Sequence, residues 1–245
     1  MEMELDFGDN NIVLKELIER GVKVDLIYAD PLYDNLDFES WIPQCHQLLK
    51  DTGSMFIQTD QRSVAELKLY LDKIFGKDNF VNWIIWSYNW GGRGKRSFAK
   101  KHDDILFYSK TKDYKFYPDR VMIPKKTAKT KLNKSGNSEQ IPTDVWSSLE
   151  GIGNFHTMSK ERVKGEDGKN LHWQKPLALM ERVILPTTDE GDLVLDPFMG
   201  TGSTAMSCIK NGRDFIGIEN DEKVFNLAKL RLETYKSILE ETIGG

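Results

Sequence analysis

Short apolar runs alternate with helical patterns along most of the chain. Seven runs of four to six residues have the character of strands: Glu4–Phe7, Val24–Ala29, Ser54–Gln58, Val81–Trp86, Asp104–Tyr108, Asp192–Asp196 and Phe215–Glu219. Between them, apolar residues recur at three- and four-residue spacing in Gln61–Phe75, Pro176–Leu185, Ser203–Lys210 and Val224–Leu239. This alternation predicts an α/β fold with a mostly parallel sheet and helices on both faces.

The alternation stops between Tyr114 and Asn170. This stretch is rich in Lys, Gly, Ser, Asn and Thr, shows little periodicity, and is too long to be a simple connection between two elements. We therefore expect residues 114–170 to form an inserted, partly mobile region. Residues 1–113 and 171–245 would then be the two parts of a single α/β domain.

Composition excludes several classes of protein. The chain has 245 residues and no apolar run that approaches the roughly 20 residues of a membrane-spanning helix, and its first residues do not resemble a signal peptide. Two distant cysteines and four histidines without metal-ligand spacing argue against a disulfide framework or a metal site. A soluble protein of a reducing cytoplasm is the expectation.

The charge of the chain is unevenly distributed. Between Gly91 and Lys134 there are 14 Lys and Arg against four Asp, a local charge of +10, so the rest of the chain, at a total of −4, carries −14. Such a polarised chain presents a positive face that attracts phosphates. The alternative is a solvated, lysine-rich surface loop, and charge alone does not decide between the two.

A glycine-containing turn follows the predicted strand that ends at Asp196. It reads Pro197-Phe198-Met199-Gly200-Thr201-Gly202-Ser203 and leads into a helix, whose N-terminus offers free N–H groups to a ligand. The next strand ends in Glu219, 17 residues after Gly202. A carboxylate at that strand end is placed to hold a ribose diol.

Two cofactor classes compete for this turn. A nicotinamide site requires three glycines in the order GxGxxG, and here the third position is Ala205. The stretch DPFMGTGST resembles instead the FxGxG signature of the amino-methyltransferases. That resemblance implies S-adenosylmethionine as cofactor and S-adenosylhomocysteine as product.

A second motif follows the strand Val24–Ala29. Asp30-Pro31-Leu32-Tyr33 resembles the Asp-Pro-Pro-Tyr motif of DNA N6-adenine methyltransferases. An aromatic amine is a poor nucleophile because its lone pair is delocalised into the ring. Acceptors at its two hydrogens, here the Asp30 carboxylate and the Pro31 carbonyl, favour a pyramidal nitrogen that can attack the methyl group. Tyr33 would stack on the flipped base.

Leu32 departs from the family motif, which has a second proline there. Leucine leaves the loop less rigid and adds an N–H. Because the aspartate, the carbonyl and the aromatic ring are retained, activity is expected. A catalytically silent, DNA-binding subunit is the alternative that this departure leaves open.

The resemblance covers most of the chain. Phe7-Gly8-Asp9-Asn10 is similar to the family's Gly-Asp element near the cofactor adenine, and His172-Trp173-Gln174-Lys175-Pro176 to its His-Pro-Thr-Gln-Lys-Pro element, one residue shorter here. The segments Ser87–Arg93 and His102–Lys110 look like the loop and strand beside the target base. The cofactor residues that the resemblance implies are Asp9, Asn10, Asp30, Lys175, Asp196, Phe198, Gly200, Thr201, Gly202, Ser203 and Glu219.

The motif order, with the catalytic tetrapeptide before the basic insert and the glycine turn last, resembles the permuted β-group of these enzymes. That group implies a seven-stranded Rossmann-like sheet, an inserted target-recognition region, frequent homodimers and, in restriction-modification systems, a cognate endonuclease.

An N4-cytosine methyltransferase and an RNA substrate remain alternatives. No Pro-Cys pair is present, which excludes a C5-cytosine enzyme. The residues expected to contact DNA are Arg93, Lys95, Arg96, Lys100, Lys101, Lys125, Lys126 and Lys129.

Overall fold

A computed structural model describes residues 2–32, 37–88, 94–126, 136–147, 168 and 174–243. In chain order its strands are β1 Met3–Phe7, β2 Val24–Ala29, β3 Leu49–Thr59, β4 Phe80–Ser87, β5 His102–Ser109, β6 Ile123–Pro124, β7 Glu139–Gln140, β8 Val145–Trp146, β9 Leu193–Asp196 and β10 Asp214–Glu219. Its α-helices are α1 Asn10–Glu19, α2 Phe38–Leu48, α3 Val64–Phe75, α4 Leu177–Thr187, α5 Ser203–Asn211 and α6 Glu222–Ile243. Short 3₁₀ turns occupy Lys77–Asn79 and Pro118–Val121.

One large sheet organises the described chain. Its strand order is β1-β10-β9-β2-β3-β5-β4-β8, and β6 pairs with β7 in a separate two-stranded ladder. Only β5 is antiparallel to its neighbours in the large sheet, and every other pair is parallel. The predicted α/β fold with a mostly parallel sheet is confirmed.

Helices cover both faces of this sheet. On one face, α1, α2 and α3 contribute Leu14, Ile42 and Leu67 to a buried apolar cluster, while α4 and α5 contribute Leu179 and Cys208 to the cluster on the other. The central strand β2 is buried along its whole length, as expected of a parallel strand that is covered on both sides.

All seven predicted strands are present, with ends that differ by a few residues. The large sheet has one more strand than the family resemblance implied, because the two-residue β8 pairs with the end of β4. Two helix ends have caps that their residue types favour. The Asp221 carboxylate accepts hydrogen bonds from the N–H groups of Lys223 and Val224, and α5 ends at Gly212 in the left-handed conformation.

The start of the predicted insert lies at the amino edge of the sheet, opposite the carboxyl edge where Asp30 lies. Lys115 pairs there with the Asp192 carboxylate at 2.5 Å and with the buried Asp25 at 3.5 Å. Arg120 pairs with Asp189 at 2.8 Å. Residues Tyr114–Val121 therefore belong to the packed body of the domain, whereas β8 lies beside the carboxyl end of β4.

Candidate functional site

The carboxyl ends of the parallel strands bring the two predicted motifs to one edge of the sheet. Asp30 follows β2, Asp196 ends β9 and Glu219 ends β10, and these three strands are consecutive in the order β10-β9-β2. Since neighbouring strands are about 4.8 Å apart, Asp30 and Pro31 lie beside the glycine turn. This is the edge at which α/β sheets hold ligands.

The glycine turn folds back on the end of β10. The Met199 N–H donates to the Ile218 carbonyl at 2.9 Å, and the Gly202 N–H to the Met199 carbonyl at 3.0 Å. Gly200 and Gly202 have φ values of +54° and +78°, which glycine adopts without strain. The turn therefore keeps its shape through backbone hydrogen bonds and leaves the start of α5 at the sheet edge.

Glu219 holds this turn from the neighbouring strand. Its Oε2 accepts from the Gly200 N–H at 2.9 Å and its Oε1 from the Asp221 N–H at 2.8 Å. The side chain is only partly buried, so the carboxylate can also accept hydrogen bonds from a ligand. Its contact with Gly200, 19 residues earlier, was not predicted.

Asp196 and Thr201 have protein partners within the turn. Asp196 is buried and accepts from the Phe198 N–H at 3.0 Å and from the Thr204 hydroxyl at 2.6 Å. Burial raises the pKa of Asp196 to about 7. The Arg231 guanidinium donates to the carbonyl and the hydroxyl of Thr201 at 2.8 and 3.2 Å. These contacts favour a turn-shaping role for both residues, and their cofactor contacts stay predictions.

Ser203 differs from these two residues. Its hydroxyl is buried at the first position of α5 and has no hydrogen-bond partner among the described residues. Asp9 lies at the same edge, where it is exposed after β1 and caps α1 through the Asn11 N–H at 2.8 Å. Asn10, the first residue of that helix, is half-buried. Ser203 is thus a free polar group beside the glycine turn.

Lys175 brings a positive charge to the catalytic tetrapeptide. Its ammonium donates a hydrogen bond to the Asp30 carboxylate, and the two side chains are 12% and 14% exposed. Pro31 is buried next to Asp30, whereas Leu32 is 67% exposed. Tyr33 lies outside the described residues.

A row of polar side chains begins at Tyr28, two residues before Asp30, and extends across the three neighbouring strands β2, β3 and β5. The Tyr28 hydroxyl donates to Gln58 Oε1 at 2.6 Å, and Gln58 Nε2 donates to Asp103 at 2.8 Å. The Tyr88 hydroxyl donates to the other oxygen of Asp103 at 3.0 Å. Burial raises the pKa of Asp103, although the positive charge of Lys175 lowers it in part.

Sequence reasoning missed this row as a unit. Gln58 is wholly buried in β3, and a polar residue directly after the apolar run Met55–Ile57 is the signal that could have revealed it. Asp103 and Tyr88 were placed near the target base only through the family resemblance, and no contact between them was predicted.

The predicted DNA-contacting cations fall into two described groups. Lys95, Arg96 and Lys100 are exposed, and Lys101 is half-buried, in the connection between β4 and β5, which starts and ends at the carboxyl edge. The second group lies next to the β6–β7 ladder, where Lys125 is half-buried and Lys126 exposed. Arg93, Lys129 and His172 lie outside the described residues.

Other kinds of site are not found in the described part of the chain. No group of three or more His, Cys, Asp or Glu side chains is placed there to hold a metal ion. Cys45 and Cys208 are free and buried, on opposite sides of the sheet. None of the described helices is long and apolar enough to cross a membrane.

The fold and the two motifs at one sheet edge define a Rossmann-like transferase. The sequence pattern of a family described as DNA methylase matches residues 24–230. Because this match covers most of the chain, the chain belongs to this family. It is 33% identical to the type II methyltransferase M.HpaI of Haemophilus parainfluenzae, over 90% of this chain and 71% of that protein. It is 30% identical to the DNA adenine methyltransferase YhdJ of Escherichia coli, over 92% of this chain and 81% of that protein.

Solved structures show the same fold. The M1.HpyAVI–SAM complex matches with a TM-score of 0.66 and 27% identity, covering 94% of this chain and all of that one. The cytosine-N4-specific PvuII DNA methyltransferase matches with a TM-score of 0.68 over the whole of this chain and 94% of that one. Its identity of 16% shows the fold alone.

Proposed function

We propose that this chain transfers the methyl group of S-adenosylmethionine to the exocyclic N6 of a flipped adenine in DNA. The observation that carries the proposal is the position of Asp30 beside the glycine turn, which Glu219 holds through the Gly200 N–H. Because these groups follow adjacent strands, an amino group held by Asp30 would lie within bonding reach of a methyl donor held by the turn.

The residues at the edge fit this cofactor. Glu219 offers a partly buried carboxylate for a ribose diol, and Ser203 offers a buried hydroxyl that has no partner among the described residues. Gly200 and Gly202 allow a ligand to approach the backbone closely. When bound, the cofactor supplies a methyl group that its sulfonium has already activated. A relative, M1.HpyAVI, is named as a complex with the same molecule.

Asp30 and Pro31 would act on the amine itself. The Asp30 carboxylate and the Pro31 carbonyl would accept hydrogen bonds from its two N–H groups. The nitrogen then becomes pyramidal, and its lone pair is no longer delocalised into the ring and points at the methyl group. The N–C bond would form as the S–C bond of the methyl donor breaks and S-adenosylhomocysteine leaves, and the Asp30 carboxylate would take one proton from the nitrogen and release it to water. Tyr33 is proposed to stack on the base, and Lys175 to fix the position of Asp30 through their ion pair.

Adenine is favoured over cytosine by two observations. Position 30 is an aspartate, whereas N4-cytosine enzymes usually carry serine in the motif that this chain resembles. YhdJ, 30% identical, is named a DNA adenine methyltransferase. The cytosine-specific PvuII enzyme shares the fold at an identity too low to argue for its substrate.

DNA is proposed to approach the carboxyl edge near β4, β5 and β8. The exposed cations between β4 and β5 lie there, and β8, which is part of the predicted recognition region 114–170, lies at the same edge. A cognate restriction endonuclease is proposed because several relatives are named type II methyltransferases. The family resemblance supports a homodimer, and the two distant cysteines fit a reducing cytoplasm.

Calorimetric titration with S-adenosylhomocysteine and, separately, with NAD tests the cofactor assignment. We expect S-adenosylhomocysteine to bind with a Kd in the micromolar range and to raise the melting temperature, as any ligand of the native state does. Binding of NAD without binding of S-adenosylhomocysteine would overturn the proposal in favour of an oxidoreductase.

A further inference from the structure

The connection between β4 and β5 has a fixed stem at the catalytic edge. Tyr88, the first residue after β4, donates its N–H to the Lys101 carbonyl at 2.9 Å. Its hydroxyl donates to Asp103 at 3.0 Å. The two ends of the connection are thereby joined, so residues 94–101 project from a defined base.

Hydrogen bonds connect this stem to β2, the strand that Asp30 follows. Asp103 accepts from Gln58, which accepts from Tyr28, two residues before Asp30. Strands β2 and β5 are separated only by β3, so their ends are about 10 Å apart. An exposed side chain in residues 94–101 is therefore within reach of DNA whose target base occupies the site.

Phe98, in this projecting segment, is 99% exposed. The next most exposed of the large hydrophobic residues in the described chain is Leu32, at 67%. Phe116, at the far edge of the sheet, is 41% exposed and packs against Phe107 with ring centroids 6.4 Å apart. Phe98 thus places an entire apolar ring in water, which is unfavourable unless a partner covers it.

The surroundings of Phe98 indicate the chemistry of that partner. Lys95, Arg96, Lys100 and Lys101 lie within three residues of it, and no acidic residue occurs between Gly94 and His102. A surface that covers the ring must therefore offer flat apolar faces next to a dense negative charge. Stacked bases between two phosphate backbones have this combination, whereas an apolar protein surface offers no negative charge to the exposed Lys95, Arg96 and Lys100.

We infer that Phe98 is a wedge that enters the DNA base stack at the place that the target base leaves. The inference rests on the proposed function and adds the residue that would stabilise the opened duplex. Apolar side chains inserted between base steps unstack them, and unstacking a base costs a few kcal/mol. By filling the gap, the Phe98 ring would favour the flipped state while the flanking cations hold the backbones.

The test compares Phe98→Ala, Phe98→Trp and the control Phe116→Ala on two duplexes. In one duplex the target adenine is paired with thymine, and in the other it faces an abasic site, so that it is already unpaired. We expect Phe98→Ala to lower kcat/KM at least about tenfold on the paired duplex and by less than threefold on the abasic one. Phe98→Trp and Phe116→Ala should stay within about threefold of wild type on both duplexes.

An equal loss on the two duplexes would overturn the inference, because it would mark Phe98 as an ordinary DNA contact, and so would no loss on either. Fluorescence of 2-aminopurine at the target position, measured with S-adenosylhomocysteine, reports base unstacking without methyl transfer. Wild-type protein should raise this fluorescence and Phe98→Ala should raise it less. Equal signals from the two proteins would contradict the role of Phe98 as a wedge. Absence of methyl transfer by the wild type would refute the proposed function separately, because the fluorescence measurement does not depend on transfer.

Discussion

Lys175 donates a hydrogen bond to Asp30 across 145 positions of the sequence. The contact joins the segment before α4 to the residue that follows β2. Both side chains are largely buried, so their pairing is screened little by water. The charge of Lys175 also acts on Asp103, whose pKa it lowers against the effect of burial. One lysine thus serves two carboxylates at the site.

Replacing Glu219 by alanine should weaken the binding of S-adenosylhomocysteine about tenfold or more. The substitution removes charge-assisted hydrogen bonds to the ribose, about 1.5–3 kcal/mol, and releases the Gly200 N–H. Calorimetry measures the change in Kd. The matched control is Glu222→Ala, an exposed carboxylate at the start of α6, which should bind as the wild type does. An unchanged Kd in Glu219→Ala would refute the assigned role.

The wild-type protein should lose stability as pH rises, and replacing Asp196 by asparagine should reduce this loss. Burial raises the folded-state pKa of this carboxyl to about 7, above its ordinary value of 3.8. The folded protein therefore binds the proton more tightly, and this stabilisation is lost as pH rises from about 4 to 7. Asparagine can accept a hydrogen bond from the Phe198 N–H and donate one to the Thr204 hydroxyl. That hydroxyl can then donate to Met180 Sδ, which lies 3.4 Å away.

Chemical denaturation at pH 5 and pH 7.5 measures this effect. We expect the free energy of unfolding of Asp196→Asn to fall less between the two values than that of the wild type. His46, whose pKa burial lowers to about 4, contributes equally to both proteins and cancels in the comparison. Asp113→Asn, an exposed control, should follow the wild type. A wild-type pH dependence in Asp196→Asn would contradict the raised pKa.

Much of this site could be predicted because its motifs are contiguous in sequence. Asp30-Pro31 and the Phe198–Gly202 turn each follow an apolar strand, and a parallel sheet brings such strand ends together. Tertiary pairing determines the rest. Val145–Trp146 is too short to show a strand period and becomes β8 only by pairing with β4. The Gln58–Asp103 hydrogen bond joins residues 45 positions apart on strands whose order the sequence does not reveal.

Replacing Lys125, Lys126 and Lys129 with alanine should reduce the salt dependence of DNA binding. Each phosphate contact contributes about 0.9 to the slope of log K against log salt concentration, because it releases condensed counterions. Binding isotherms at several salt concentrations measure the slope. The triple variant of Lys223, Lys229 and Lys236, which are exposed on α6, serves as the control of equal charge. The same slope in the first variant and the wild type would identify that cluster as solvated surface.

Leu32→Pro should change the turnover number by less than tenfold. The Asp30 carboxylate and the Pro31 carbonyl are present in both proteins, and Leu32 itself is mostly exposed. The change mainly affects the conformational entropy of the loop, about 0.4–1 kcal/mol, which is less than one decade in rate. Single-turnover methyl transfer measures it. A wild type that binds cofactor and DNA yet transfers methyl groups only after Leu32→Pro would support a silent subunit instead.

The most direct test of the proposed function is to identify the methylated nucleoside. Unmethylated DNA is incubated with the protein and S-adenosylmethionine labelled in its methyl group, then digested to nucleosides and separated. We expect all label in N6-methyldeoxyadenosine. Asp30→Asn, which retains the shape of the side chain but not its charge, should still bind the cofactor and transfer at least about a hundredfold more slowly. Label in N4-methyldeoxycytidine, or undiminished transfer by Asp30→Asn, would contradict the proposed function.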